Sequence, residues 1–410
     1  MANGLVPARG TRTICLPVTE EDYQQCIENT DAFRQLLDRG FDQHPELFPK
    51  GFDQGYEFKD VRMSKKLKLK LRRITFKDGV DYTVRPSFVM PYQAGRVKEV
   101  EPGLFLRKFA VPYWAVARLN GRHARYWYRL ECSLGRNSIV GTTIRQARLP
   151  KHLVADEHHQ RRAGGKTYLA VTVGGGCFLG VAAADADELQ EAYGVFRREA
   201  LDVDPDYVPE SVGTDGWKST QNAWKTLFPD IAVLLCFLHS WIKIRDRAKH
   251  LNQFLEIGRR VWEVYRAPDR ASLAQRVRWL RVWADQNLTG VVHEKVIDLC
   301  NKKDRWQQAY QYPAGHRTSN MVDRLTRGMN RYLVDGQRLH GSLQASAAHC
   351  RGWALLWNFA PWTPTTTKRN DGWTSPAERL NQHRYHECWL ENLLVSASLG
   401  GWHNARPQHT

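Results

Sequence analysis

Asp156 and Asp215 are the two acids of this chain whose placement could let them do chemistry together. Each sits on or at the end of a short strand-like run, HLVADE (His152–Glu157) and SVGTDG (Ser211–Gly216), and Gly216 lets the chain turn sharply after the second acid. The ends of strands are where α/β sheets place their chemistry. Taken singly, either acid is an ordinary surface or turn residue. Brought together in a cleft the two carboxylates repel, and such a pair is stable when it shares a proton or binds a cation. Hard oxygen ligands suit Mg²⁺ or Mn²⁺, and two such ions about 4 Å apart can activate an attacking oxygen and stabilise a leaving one. Further along the same run, Cys236 and His239 form a Cys-x-x-His. Two ligands do not close a tetrahedral zinc site, and a buried thiol with a hydrogen-bonded histidine accounts for the pair equally well.

The elements that must hold these residues follow from periodicity. HLVADE, Thr167–Val173 and Cys177–Ala182 read as three consecutive strands, with Gly174, Gly175 and Gly176 as a tight turn between the last two. Asp185–Leu201 then reads as a helix, with Leu189, Tyr193, Phe196 and Ala200 along one side. After the Asp215 strand, Ser219 is placed to cap a helix carrying Trp224 and Leu227, and Pro229 ends it. The unbroken apolar run Ile231–Leu238 predicts a buried strand ending at Cys236 and His239. This βββαβαβ order, with an acid on the first strand and another at the end of the fourth, is the order of a ribonuclease H-like α/β core, in which those two strands are neighbours. Trp217 and Trp224 could stack on an unpaired base near such a site, although core packing is the commoner use of tryptophans at helical spacing.

The chain has 410 residues, with 60 Lys and Arg against 43 Asp and Glu, a formal charge of +17. With Trp, Tyr and Phe at 15 each, that charge points to a nucleic-acid partner rather than to a merely soluble surface. No apolar run approaches the roughly 20 residues of a membrane span, and the N-terminus carries no signal-peptide core, so a cytoplasmic, nucleoid-associated protein is expected. Eight scattered cysteines without a CxxC pair fit reduced core thiols.

Upstream, Glu20–Leu37 predicts one amphipathic helix, and VRMSKKLKLKLRRITFK (Val61–Lys77) predicts a strand with Lys66, Lys68 and Lys70 on one face. That face fits a solvated edge or a phosphate contact equally. In VPYWAVARLNGRHARYWYRLECSLG the break at Asn120-Gly121 separates two helices, the second bearing Arg122, Arg125 and Arg129 outside and Trp127 and Leu130 inside. This is the layout of a helix-turn-helix, and also of a plain helical hairpin; the positive charge favours DNA. From Trp241 to Tyr312 the pattern is nearly continuous helix.

TDGW followed by a helix, a buried strand and Cys236-x-x-His239 resembles the DDE transposases of bacterial insertion sequences, especially the Mutator-like group. LVADEHH resembles that family's first-acid strand, and RTSNMVDRLTRGMNRYL (Arg317–Leu333) its Asn-bearing third-acid helix; the likeness runs from about Lys151 to Phe359. The segment SPAERLNQHRYHECWLENLLVSASLGG also looks like the tails of such proteins. The resemblance implies metal-dependent cleavage at transposon ends and strand transfer into target DNA. Asp156, Asp215 and Asp323 would hold two Mg²⁺ or Mn²⁺ ions, with Cys236, His239, Trp217 and Asn320 near the site. The chain departs from the family at the third acid, where Asp323 stands in place of a glutamate. Arg324 and Arg327 give that helix a cationic surface suited to phosphates. Glu378 is the competing third acid, although Ser375-Pro376-Ala377-Glu378 reads as a capping box. Expected partners are double-stranded DNA, as terminal inverted repeats and target, and further copies of the chain, with no membrane. A catalytically inactive DNA-binding descendant and a ribonuclease H-like nuclease without strand transfer are the alternatives.

The resulting organisation is an N-terminal region over 1–85, a helix-turn-helix-like region over 86–148, the first part of the catalytic core over 149–240, and a helical insertion over 241–312. The third-acid helix and its successor occupy 313–362, and a basic C-terminal tail occupies 363–410.

Overall fold

The computed structural model describes residues 12–162, 165–185, 188–317, 320–335 and 342–403. It is an α/β protein with two mixed sheets. Contacts divide the chain into two units, one built from Met1–Leu149, Glu157–Tyr207 and Leu325–Thr410, the other from Pro150–Asp156 and Val208–Arg324. The regions expected over 1–85 and 86–148 therefore belong to one larger unit, and the stretch expected as one catalytic core over 149–240 is shared between the two.

The larger unit starts with β1 (Thr13–Leu16), α1 (Glu20–Cys26), α2 (Thr30–Gln43), β2 (Tyr56–Ser64), β3 (Leu69–Phe76) and β4 (Asp81–Pro86). Its first sheet has the order β1-β4-β3-β2, with β1 parallel to β4 and the other pairs antiparallel. The single helix expected over Glu20–Leu37 is two, because Asn29 accepts from Ala32 N and so starts a second helix. An Asn side chain at that spacing offers the backbone a cap in place of helix continuation. The strand expected over Val61–Lys77 is a hairpin, turning through residues that include Lys66 and Lys68; Lys68 has a positive φ of 49°. Lys70, on β3, pairs with Glu28.

Four helices follow, α3 (Val97–Lys108), α4 (Tyr113–Asn120), α5 (Ala124–Leu134) and α6 (Ile139–Thr143). The break at Asn120-Gly121 falls where the sequence placed it, with Trp127 and Leu130 fully buried. Val116 of α4 is buried and Leu119 is exposed. Next come β5 (His152–Arg162), β6 (Gly165–Gly174), β7 (Cys177–Asp185) and α7 (Leu189–Val203).

The smaller unit takes the first residues of β5 and adds β8 (Ser211–Thr214), α8 (Lys218–Leu227), β9 (Ala232–Leu235) and α9 (Phe237–Ala248). The second sheet has the order β7-β6-β5-β8-β9; β5, β8 and β9 run parallel, β6 and β7 antiparallel. The apolar run Ile231–Leu238 is thus not one strand, since it leaves the sheet after Leu235 and enters a helix. Ser219 does not cap α8; the N-cap position is Trp217. The helical insertion comprises α10 (Phe254–Tyr265), α11 (Arg270–Asn287), α12 (Gly290–Asn301) and α13 (Lys303–Gln308). Ile257, Val261, Leu273, Val277, Val296 and Trp306 close a core of their own there with Phe237 and Ile244 of α9.

α14 (Asn320–Asp335) leads back into the larger unit, followed by α15 (Leu343–Phe359), α16 (Pro364–Lys368), α17 (Pro376–Asn381) and α18 (Trp389–Ser396). α15 crosses α5 at two glycines: a Cβ on Gly352 would stand 2.2 Å from Glu131 O, and one on Gly135 would stand 1.8 Å from Ala348 O. The segment expected as a basic tail is largely interior, with Leu390, Leu393, Leu394 and Val395 fully buried. Among the described residues no helix is long and apolar enough to cross a membrane.

Candidate active site at the ends of the parallel strands

Parallel pairing sets the geometry of the site. β5 and β8 are in register with Leu153 opposite Val212 and Val154 opposite Gly213. Carried two residues further, that register sets Asp156 opposite Asp215. On the other side of β8, Thr214 lies opposite Leu235, and Cys236 N donates to Thr214 O at 2.8 Å, so Cys236 falls opposite Asp215. Asp156, within β5, and Asp215 and Cys236, each one residue past the end of its strand, therefore lie on three adjacent strand paths, which pairing holds roughly 4.8 Å apart.

Local structure fixes the second acid. Asp215 Oδ1 accepts from Trp217 N at 2.8 Å, closing an Asx turn. Gly216 takes φ 102°, and a Cβ there would stand 2.7 Å from Leu235 Cδ1, so the turn needs glycine. Both acids are half-buried, which leaves their carboxylates reachable. Trp217 is half-buried at the start of α8, whereas Trp224 is fully buried and stacked on Phe228 at 5.8 Å, a core residue.

Cys236 is the N-cap residue of α9 and His239 lies in its first turn. The pKa of His239 is raised to about 9, first by its hydrogen bond with Cys236 and then by the charges of Cys236, Asp156 and Asp215, with burial opposing them. The imidazole thus sits in the field of both acids. Its Nδ1 is buried with no hydrogen-bond partner among the described residues.

The approach to α14 passes the same strand ends. Phe237 N donates to Arg317 O at 3.2 Å, and a Cβ on Gly315 would stand 3.1 Å from Ser211 Oγ and 2.7 Å from Leu234 Cδ1. The Arg317 guanidinium is anchored over Tyr310 at 4.5 Å and donates to Tyr265 O at 3.2 Å. From Arg317 the backbone reaches Asn320 within about 11 Å. The side chains of Asn320, Asp323 and Arg324 lie outside the described residues. Sequence reasoning missed Gly315 and Arg317; the signal was the Tyr-Pro-Ala-Gly stretch before the helix, a tight crossing written in turn residues.

The remaining candidates divide. Glu378 is buried, and its carboxylate accepts from Thr374 N at 3.0 Å and Thr374 Oγ1 at 2.9 Å, while Ser375 Oγ accepts from Glu378 N. The capping box is therefore built, with the glutamate reaching one residue further back than the usual N-cap amide. Arg122, Arg125 and Arg129 are exposed along α5 and its approach, with Arg122 paired to Glu99 at 2.8 Å; Arg327 is exposed on α14.

Two carboxylates on adjacent strand paths are a donor set that fits a hard divalent cation better than a soft one. Among the described residues no group of three or more His, Cys, Asp or Glu side chains is assembled to hold a metal. No protein-family model matches the sequence, and no curated protein matches it.

Proposed function

We propose that the chain is a DNA transposase of the DDE type, a polynucleotidyl transferase that cuts at the ends of a mobile element and joins them to target DNA. The observation that supports this reading is the parallel pairing of β5 with β8, in which Val154 lies opposite Gly213, two residues before Asp156 and Asp215 respectively. Three further features support it: the strand order β7-β6-β5-β8-β9, which matches that of a ribonuclease H-like core; the hydrogen bond from Phe237 N to Arg317 O, which holds the segment before α14 at the start of α9; and the charge of +17.

Asp156, Asp215 and Asp323 would hold two Mg²⁺ or Mn²⁺ ions, which when bound supply an activated oxygen nucleophile and charge neutralisation at the leaving oxygen. The chain itself holds the carboxylates still. The Trp217 amide fixes one oxygen of Asp215, Gly216 permits the turn, and strand pairing fixes Asp156. A water oxygen attacks the scissile phosphorus and the P–O3′ bond breaks; the freed 3′-hydroxyl then attacks a target phosphorus, and the target strand's own P–O3′ bond breaks as its 3′-oxygen leaves. No protein side chain becomes covalently joined to DNA in this scheme. Arg122, Arg125, Arg129, Arg324 and Arg327 contact phosphates, and holding two ends together calls for more than one copy of the chain.

The test is Mg²⁺- or Mn²⁺-dependent cleavage and joining of DNA bearing the sequences that flank the gene, with Asp215→Asn and Asp323→Asn beside the wild type. Wild-type joining with both variants bound but inert supports the reading. A wild type that binds those ends and never cuts with either metal makes the chain an inactive DNA-binding descendant, which the shorter Asp323 favours. Cutting without joining makes it a nuclease.

A further inference from the structure

A cavity of about 530 Å³ lies in the larger unit against the first sheet. Its volume is in the range that takes a small molecule. The turn of the β2–β3 hairpin, β4, the segment after it and the residues following α5 contribute Lys66, Arg85, Tyr92 and Arg136, and among the described residues no carboxylate lines it. Arg85 is 6 % exposed. Its Nη1 donates to Val89 O at 2.5 Å, and its Nε is buried with no hydrogen-bond partner among the described residues. A buried charged donor left in that state is unfavourable, and an anion in the cavity would remove the penalty.

Tyr92 stands at the rim. Its φ of 66° is left-handed, a region that a bulky residue occupies only under strain, and its ring lies 5.0 Å from the Arg136 guanidinium. Burial pushes the Tyr92 hydroxyl up while the charges of Arg136 and Arg85 pull it down. The fold thus maintains a left-handed tyrosine against the Arg136 guanidinium at a cavity whose lining includes Lys66, Arg85 and Arg136. A phosphate together with a planar base matches that arrangement: the phosphate pairs with the guanidinium groups and the base stacks on the ring.

We propose that this cavity binds one nucleotide, its phosphate on Arg85, Arg136 and Lys66 and its base on Tyr92. The nucleotide is either free or the unpaired residue of a DNA strand. The site itself stands whether or not the chain cuts DNA, and rests on the transposase reading only for the strand as its source.

Fluorescence titration of the full chain with deoxyadenosine 5′-monophosphate, inorganic phosphate, a short 5′-phosphorylated oligothymidylate and a duplex of random sequence tests this. The mononucleotide should bind more tightly than phosphate, and Arg136→Gln and Tyr92→Gly should each weaken it about tenfold. Tyr92→Gly should unfold no earlier than wild type, because glycine accepts the left-handed backbone, so its loss of binding is not a loss of fold. Stronger binding of the oligothymidylate than of the mononucleotide would identify a strand as the source, and the reverse a free nucleotide. Equal binding of phosphate and mononucleotide, or folded variants that bind as wild type does, overturns the inference. If neither single nucleotides nor the strand bind while duplex binding persists, the pocket fails and the transposase reading is untouched. If the pocket behaves as stated and no DNA is cut, the reverse holds.

Discussion

Glu199 and Asp215 are both carboxylates at element ends, and the fold treats them in opposite ways. Glu199, 1 % exposed, accepts from Ile139 N at 2.6 Å, Val140 N at 3.1 Å and Ser138 Oγ at 3.1 Å, and pairs with Arg351 at 2.6 Å. It ties the start of α6 to α15 inside the larger unit. Glu131 is used in the same manner, taking Arg107 at 2.8 Å, Tyr113 at 2.8 Å and Tyr332 at 2.5 Å. Asp215, half-exposed, takes the amide of its own turn at 2.8 Å, and Asp156 is half-exposed on the neighbouring strand. A buried acid surrounded by donors stabilises a fold, whereas a half-exposed acid beside the end of a parallel strand is placed to meet a ligand.

The sharpest way to break that contrast is to neutralise each kind of acid. Asp215→Asn or Asp156→Asn should lower metal-dependent DNA cleavage about a thousandfold or more, with the thermal midpoint unchanged. Cleavage at the wild-type rate would end the case for the pair. Glu199→Ala should do the reverse, costing about 3–5 kcal/mol in urea denaturation by leaving Arg351 buried without its acid, with cleavage per folded molecule unchanged.

Lys108 sharpens the comparison from the cationic side. It is buried and donates to Ala360 O at 2.6 Å and Pro361 O at 2.9 Å, and burial lowers its pKa from 10.5 to about 8. The folded state therefore holds this proton less well than the unfolded chain. Its cost is fully present below pH 8 and is relieved as the pH rises from about 8 toward 10.5, a gain of up to about 3 kcal/mol. Denaturation midpoints measured between pH 7 and 9.5 should rise for wild type and stay flatter for Lys108→Met.

The smallest expected effect is at the exposed arginines. Arg125→Gln with Arg129→Gln should weaken DNA binding roughly three- to tenfold and reduce the salt dependence by about one to two phosphate contacts. Gel-shift titrations at several salt concentrations would show it, and an unchanged salt slope would make α4 and α5 a plain hairpin.

The elements around the candidate acids were legible where their determinants are local. β8 ends just before Asp215, and Gly216 and the Asn120-Gly121 break announce their turns, whereas the strand expected over His152–Glu157 runs on to Arg162. Misreadings came where a local cue competes with a pattern or where the partner is far away. Asn29 interrupts an otherwise regular amphipathic period, and the hairpin after Ser64 turns through lysines, with Lys68 left-handed, where no glycine advertises it. Ile231–Leu238 reads as strand because apolar residues suit a strand and a buried helix start alike. The C-terminal segment reads as a tail by its charges, yet Leu390 to Val395 are interior because elements hundreds of residues away need them.

That last arrangement has a consequence for synthesis. Cys15 N, in the first strand, donates to Ser398 Oγ at 3.1 Å across 383 residues, and Ser138 N donates to Gly400 O at 2.9 Å. At the usual pace of a ribosome, roughly 5–20 residues per second, the Cys15 amide waits tens of seconds for Ser398 to emerge. The stretch Val208–Arg324, by contrast, needs just the first residues of β5, already made, to close its own core. A chain stopped a few dozen residues short of its end would carry a finished helical module and an open sheet, a natural substrate for chaperones and proteases.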